Sequence, residues 1–250
     1  MTTVTSASFN QVTTQANKTV STLSLWFKDG WQLFKQAPIK IFSVMTLFAI
    51  LPGLLQLLPS PFGLMLSKWV GPMLLGVVCL ILNNLFCGRG FSVRSQSVGY
   101  TSILKQWGRF ALWSLSGVLL ASIQFQVGSI LIGSDNMSAS LVGDYTNVAL
   151  WQAGVIFAST TPIAMLLSFV PMLLILQGQS LYRAFRQSVF CVIRAWKPMS
   201  VLMLLSIIVV FSVPYTGALS ALLVGPYMTC VTFIAYKQLF KDSQSPNDID

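Results

Sequence analysis

The chain has 250 residues, 54% of them hydrophobic and only 8% charged, with a mean hydropathy of +0.73. A soluble domain carries roughly 25% charged residues and shows a large share of its surface to water, so this composition excludes a conventional water-soluble globule. The charge is one-sided, with 15 Lys+Arg against 6 acidic residues for a net +9, no Glu and no His. Whether so basic a chain meets nucleic acid or a membrane is decided by where the charges fall.

Residues 1–23 are rich in Thr and Ser, carry Lys18 as their one charge and lack the apolar stretch of a secretory signal, so they read as a disordered tail. Residues 25–37 (LWFKDGWQLFKQA) form a basic, aromatic, amphipathic stretch. Uncharged runs follow over 41–67, 69–88, 110–134, 145–182 and 198–236. A hydrocarbon layer about 30 Å thick is crossed by roughly 20 apolar residues rising about 1.5 Å each. The first three runs hold one span each. Thr146, Asn147, Gln152 and residues 159–162 dilute the first half of the fourth, which is a polar approach followed by one span. The last is long enough for two, with Pro214, Tyr215, Thr216 and Gly217 as the turn between them. Spans are therefore predicted over 41–58, 65–86, 110–132, 154–177, 198–214 and 217–236. Residues 242–250 read as a second disordered tail, leaving 24–241 as a single membrane domain.

The predicted fold is all-α, a polytopic transmembrane bundle of six spans in three hairpins. Similar basic, aromatic stretches precede the other hairpins, at 100–109 (YTSILKQWGR) and 181–197 (LYRAFRQSVFCVIRAWK). In the latter, Leu181, Phe185, Val189 and Val192 recur at helical spacing while Arg183, Arg186 and Arg194 point elsewhere. Such helices lie in the headgroup layer, aromatic rings at the apolar boundary and cations toward anionic lipid. Trp31/Pro38 and Trp196/Pro198 recur before the first and third hairpins, and Val-Gly-Pro recurs at 70–72 and 224–226. This is a repeat of three units with one topology, unlike the inverted repeats of many secondary transporters.

Six spans put both termini on one side. Lys18, Lys28, Lys35 and Lys40, then Arg89, Arg94, Lys105 and Arg109, then Arg183, Arg186, Arg194 and Lys197, and finally Lys237 and Lys241 fall on that side. Only Lys68 falls opposite, with Asp135 and Asp144. The positive-inside rule makes the basic side cytoplasmic. The cations thus point to anionic phospholipid headgroups or a membrane-protein partner, and not to nucleic acid. The contact candidates are Lys35, Lys40, Arg89, Arg94, Lys105, Arg109, Arg183, Arg186, Arg194 and Lys197.

Lys68 is the one charge inside a predicted span, which by default marks a pore or ligand site, although so near the outer side it can also snorkel to the headgroups. Gly71, Pro72 and Gly76, with Gly225 and Pro226, offer small-residue faces for close helix approach; the competing reading is a broken helix whose freed carbonyls bind a ligand. Without His or Glu, general acid–base chemistry loses its commonest groups. Cys79, Cys87, Cys191 and Cys230 form no close-spaced metal pair, and no phosphate loop is present. No enzyme activity and no cofactor are expected.

Gly30-Trp31-Gln32-Leu33-Phe34 with Ala37-Pro38, then Gly71-Pro72-Met73 with Gly76 and the basic Gly88-Arg89 turn, resemble a family of six-span inner-membrane proteins of Gram-negative bacteria. Residues 181–184 with Arg194 and Pro198, and Val224-Gly225-Pro226 with Tyr236 and Phe240, extend the resemblance over 25–241. It implies six spans and a bacterial inner-membrane address; it brings no reaction, ligand or catalytic residue. The expected function is a scaffold or assembly factor whose basic helices engage anionic lipid or a partner. The alternative is a transporter or channel for a small solute or a lipid-like substrate.

Overall fold

The structure is a computed structural model, and it describes residues 22–58, 62–92, 100–141 and 144–241. The expected tails thus lie outside the described residues, except that Thr22 and Leu23 are already helical. Among the described residues there is no strand. The elements are α1 (22–36), α2 (Pro38–Leu55), α3 (Phe62–Phe86), α4 (Tyr100–Ile132), α5 (Ser134–Leu141), α6 (Leu150–Ala158), α7 (Thr161–Leu166), α8 (Val170–Gln177), α9 (Leu181–Arg194), α10 (Trp196–Phe211), α11 (Val213–Thr216) and α12 (Leu219–Lys241).

Four helices are long and apolar enough to cross a membrane: α2, α3, α4 from Trp107, and α12 as far as Phe240. Two bent pairs raise the number to six if each counts as one span: α6–α7 with α8, bent by 44°, and α9 with α10, bent by 99°. The outward surface is apolar, with Leu47, Leu112, Leu119, Leu204 and Leu223 each more than half exposed. In water such a surface would associate; against hydrocarbon it is at equilibrium. The molecule is therefore built as a multi-pass membrane protein.

Proline position explains where helices stop and where they do not. Pro38, Pro162, Pro171 and Pro214 occupy the first turn of α2, α7, α8 and α11, where no intrahelical N–H is needed. Pro52, Pro72 and Pro226 lie within α2, α3 and α12, which continue through them. α3 is therefore not a broken helix at Gly71-Pro72. One expectation fails at element level: residues 100–109 form no separate helix before the second hairpin. They are the first turns of α4, an unbroken helix of 33 residues. The reason is local, since Gly108 is tolerated inside a helix and no proline follows it, whereas Pro38 and Pro198 follow the other two stretches.

α3 is the central element, packed against α2, α4, α8 and α12, while α10 packs on α6, α7 and α12. The buried core is concentrated at the end of the bundle carrying the basic segments. It joins Trp26 and Leu33 of α1, Cys79 and Leu82 of α3, Phe110 of α4, Leu173 of α8, Met199 of α10 and Phe233 of α12. α1 is part of this core. Trp26, Gly30 and Leu33 share one face of it, and a Cβ on Gly30 would come within 2.8 Å of Val231 on α12. Trp26 is fully buried and its indole donates to Gln238 Oε1 at 2.8 Å, while Gln238 Nε2 donates to Asp29 Oδ2 at 3.2 Å.

Candidate functional site

The basic end is organised by α9. Of the apolar residues that recur at helical spacing, Val192 is buried, Leu181 and Val189 are half-buried and Phe185 is 48% exposed. Ala184, Ser188 and Val192 pack inward, and Tyr182, Phe185 and Ile193 point out of the protein. Arg183, Arg186 and Arg194 are exposed as well, with Phe190 at 66% exposure among them. The helix thus has a buried protein face and an outward surface that combines cations with apolar and aromatic side chains, and it meets α10 almost at a right angle.

The other cations divide into held and open groups. Arg109 donates to the carbonyls of Gly178 at 3.1 Å and Gln179 at 3.4 Å, past the C-terminus of α8, where a cation meets the negative end of the helix dipole. It is thus tied to the protein, in contrast to the open contact expected of it. Lys35 lies 5.3 Å from the Trp31 ring, Lys40 5.8 Å from Phe91 and Lys197 5.9 Å from Trp196. Arg89 is exposed in the turn after α3. Arg94 and the Lys105 side chain lie outside the described residues.

Spacing did not single out Lys237, yet the fold gives it the most elaborate surroundings. Its ammonium donates to Asn83 Oδ1 at 2.8 Å and sits 5.5 Å from both the Phe86 and Phe233 rings. Gln177 donates to the Tyr236 hydroxyl at 2.9 Å beside it. A cavity of about 390 Å³ opens there against Asn83, Gln177, Tyr236 and Lys237. Only the tertiary fold brings these helices together, and the sole sequence signal was a lysine directly ending an apolar run.

At the opposite end, α2, α3, α4, α5 and α6 enclose a part-open cavity of about 510 Å³. Lys68 lines it, with Gln56, Ser122, Gln124, Gln126, Ser140 and Tyr145 as the other polar residues and an apolar wall that includes Leu64, Val118, Phe125, Ile156 and Phe157. Gln56 donates to Ser67 Oγ at 3.3 Å and Gln124 to the Phe157 carbonyl at 3.1 Å, so those amides are engaged. Among the described residues, the side chains of Lys68, Gln126 and Tyr145 have no hydrogen-bond or ion-pair partner. Asp144 lies outside the lining. Its carboxylate accepts from the Thr146 hydroxyl at 2.7 Å and the Thr146 amide at 3.1 Å, which holds it below the ordinary 3.8.

The breaks between α6, α7 and α8 expose backbone groups that could have held a ligand, and neighbouring side chains occupy them. Gln124 of α4 reaches the Phe157 carbonyl and Thr160 Oγ1 at the first break. Ser188 of α9 donates to the Leu166 carbonyl at 2.8 Å and accepts from the Phe169 amide at 3.3 Å at the second. Membrane helices tolerate such breaks where side chains re-satisfy the backbone.

Of the small-residue candidates, Gly76 fits against the Phe110 ring, where a Cβ would come within 2.6 Å. Gly71 has only the Pro52 ring at 3.9 Å, and a Cβ on Gly225 would meet nothing within 4 Å, so no neighbour approaches closely there, although Pro226 is buried. Spacing missed the tightest approach, Gly117 of α4 against the Lys68 carbonyl and the Pro72 ring. Pro72 has no N–H to return to that carbonyl four residues back. Among the described residues no three His, Cys, Asp or Glu side chains converge as metal ligands.

The chain matches no family model, no curated protein and no solved structure. The class defined by fold and site is therefore the helical multi-pass membrane protein, with a closed basic end and a cavity at the other.

Proposed function

We propose that this is a non-enzymatic protein of a bacterial inner membrane, with both termini in the cytoplasm, acting as a scaffold or assembly factor whose basic helices hold anionic phospholipid or a membrane-protein partner. The observation that carries this reading is α9, with exposed Arg183, Arg186 and Arg194 beside exposed Tyr182, Phe185 and Ile193. That combination suits an interfacial helix, its apolar flank in the acyl boundary and its cations at the phosphates. The right-angle turn into α10 is the geometry needed to pass from the membrane plane into a span. α1 plays the same part in the first unit, with Trp31 and Lys35 exposed and its opposite face docked on α12. Six spans in three hairpins fit if each bent helix group is one crossing. The family resemblance of residues 25–241 agrees with the inner-membrane address.

Each basic residue near an anionic surface contributes about 1 kcal/mol, so replacing Arg183, Arg186 and Arg194 together by Gln should weaken lipid retention by about a hundredfold. Phosphatidylglycerol and cardiolipin retained by the purified protein measure this, and unchanged retention would count against the reading. Transport of a small solute or lipid-like substrate is the second reading, favoured by the cavity around Lys68. The packed core at the basic end and the occupied carbonyls at the helix breaks weigh toward the scaffold.

A further inference from the structure

We infer that the cavity lined by α2–α6 is a binding site for one anionic phospholipid from the leaflet opposite the basic end, its phosphate on Lys68 and an acyl chain along the apolar wall. The volume, about 510 Å³, falls within the range of about 300–1,000 Å³ usual for ligand sites. Lys68 is the one charged residue among those lining it, half-buried in the second turn of a span helix. An ammonium held there without a counter-charge is unfavourable, and no described carboxylate supplies one. Asp135 does not line the cavity, and Asp144 is directed to Thr146.

Gln126 and Tyr145, whose side chains are not engaged elsewhere among the described residues, add hydrogen-bond donors to the lining. The apolar wall excludes a purely hydrophilic anion as the best occupant. Leu64 and Val118 offer contact to methylenes, while Met65 and Phe157 at the rim are 56% and 36% exposed, continuous with the lipid-facing surface. A lipid can thus enter sideways with its chain never leaving an apolar environment. Snorkelling of Lys68 and ligand binding differ in one respect: snorkelling makes no headgroup preference at this cavity.

This inference does not rest on the scaffold reading, since it concerns the other end of the bundle. The test uses the full-length protein carrying Arg183→Gln, Arg186→Gln and Arg194→Gln, so that lipid at the basic end does not contribute. Binding of phosphatidylglycerol and of phosphatidylcholine is measured by native mass spectrometry in detergent, for this protein and with Lys68→Gln, Lys68→Arg or Ala121→Trp added. Both lipids carry the phosphodiester, but choline brings a cation beside the unpaired Lys68 ammonium, so phosphatidylglycerol should bind about tenfold more tightly than phosphatidylcholine. Lys68→Gln should remove that preference and Lys68→Arg keep it. Ala121→Trp, which fills the cavity and leaves the charge, should weaken both lipids. A phosphatidylglycerol preference that persists undiminished with Lys68→Gln overturns the inference, as does unaltered binding with Ala121→Trp, the variant that decides if Lys68→Gln does not fold. Displacement of the lipid by millimolar inorganic phosphate alone also overturns it, assigning the site to a soluble anion.

Discussion

Glycines on α4 show how one missing Cβ decides helix contact. At Gly117 an added methyl would run into the Lys68 carbonyl, which belongs to a backbone held on both sides by α3 and cannot swing away. At Gly108 the same methyl meets nothing within 4 Å. Gly117→Ala should therefore destabilise by about 1–3 kcal/mol, as overpacking does. Gly108→Ala should stabilise by about 0.5–1 kcal/mol through the lower entropy of the unfolded chain and better helix propensity. Thermal unfolding of the two variants in detergent checks this, and shifts of the same sign would contradict the contact. In the sequence Gly71 and Gly225 stand out through the recurring Val-Gly-Pro tripeptide and the small-residue face it offers. Sequence proximity to proline, however, does not say which side of the helix has a neighbour.

At the scale of elements, the fourth span is the informative one. Its composition predicts a diluted first half, and the structure has α6 and α7 there, followed by α8 at a bend of 44°. A break within hydrocarbon is stable only if its backbone groups find partners, and Ser188 supplies two at once. Ser188→Ala should cost about 1–3 kcal/mol, the penalty of leaving a buried group unsatisfied. Ser200 returns its hydroxyl to the Trp196 carbonyl on its own helix at 2.7 Å, so Ser200→Ala should change stability little. Comparable losses for the two serines would show that Ser188 is not the stitch. α4 carries the complementary lesson. Residues 100–109 match the other basic stretches in composition, yet without a following proline they extend a span, so composition marks an interfacial segment and proline decides whether it turns.

For the whole molecule, the asymmetry along the bundle axis matters most. At the basic end, large side chains from α1, α3, α8, α10 and α12 close the core; at the other end, the chains part around Lys68. The proposed orientation places the closed end in the cytoplasm. Alkaline phosphatase fused after residue 140 should then be active and, fused after residue 95, inactive, since the enzyme folds only outside the cytoplasm. The reverse pattern would invert the topology and assign the basic surface to the outer leaflet.

Read by itself, the sequence determined the helical class, the apolar character and the segments long enough to cross hydrocarbon. These depend on composition summed along a stretch, and the bilayer as solvent acts on that sum. The setting of Lys68 apart from the other basic residues along the chain was equally legible, because charge spacing is a one-dimensional property. The tertiary structure alone decided that α1 is a core helix through Trp26 and Gln238, that α9 turns Ala184, Ser188 and Val192 into the protein, and that Lys237 sits among three aromatic rings. It also decided that Lys68 faces a cavity. Such outcomes depend on which helix lies opposite and at what distance, and two spans of equal hydropathy pack differently when one bears a Gly117 where the other bears a Leu.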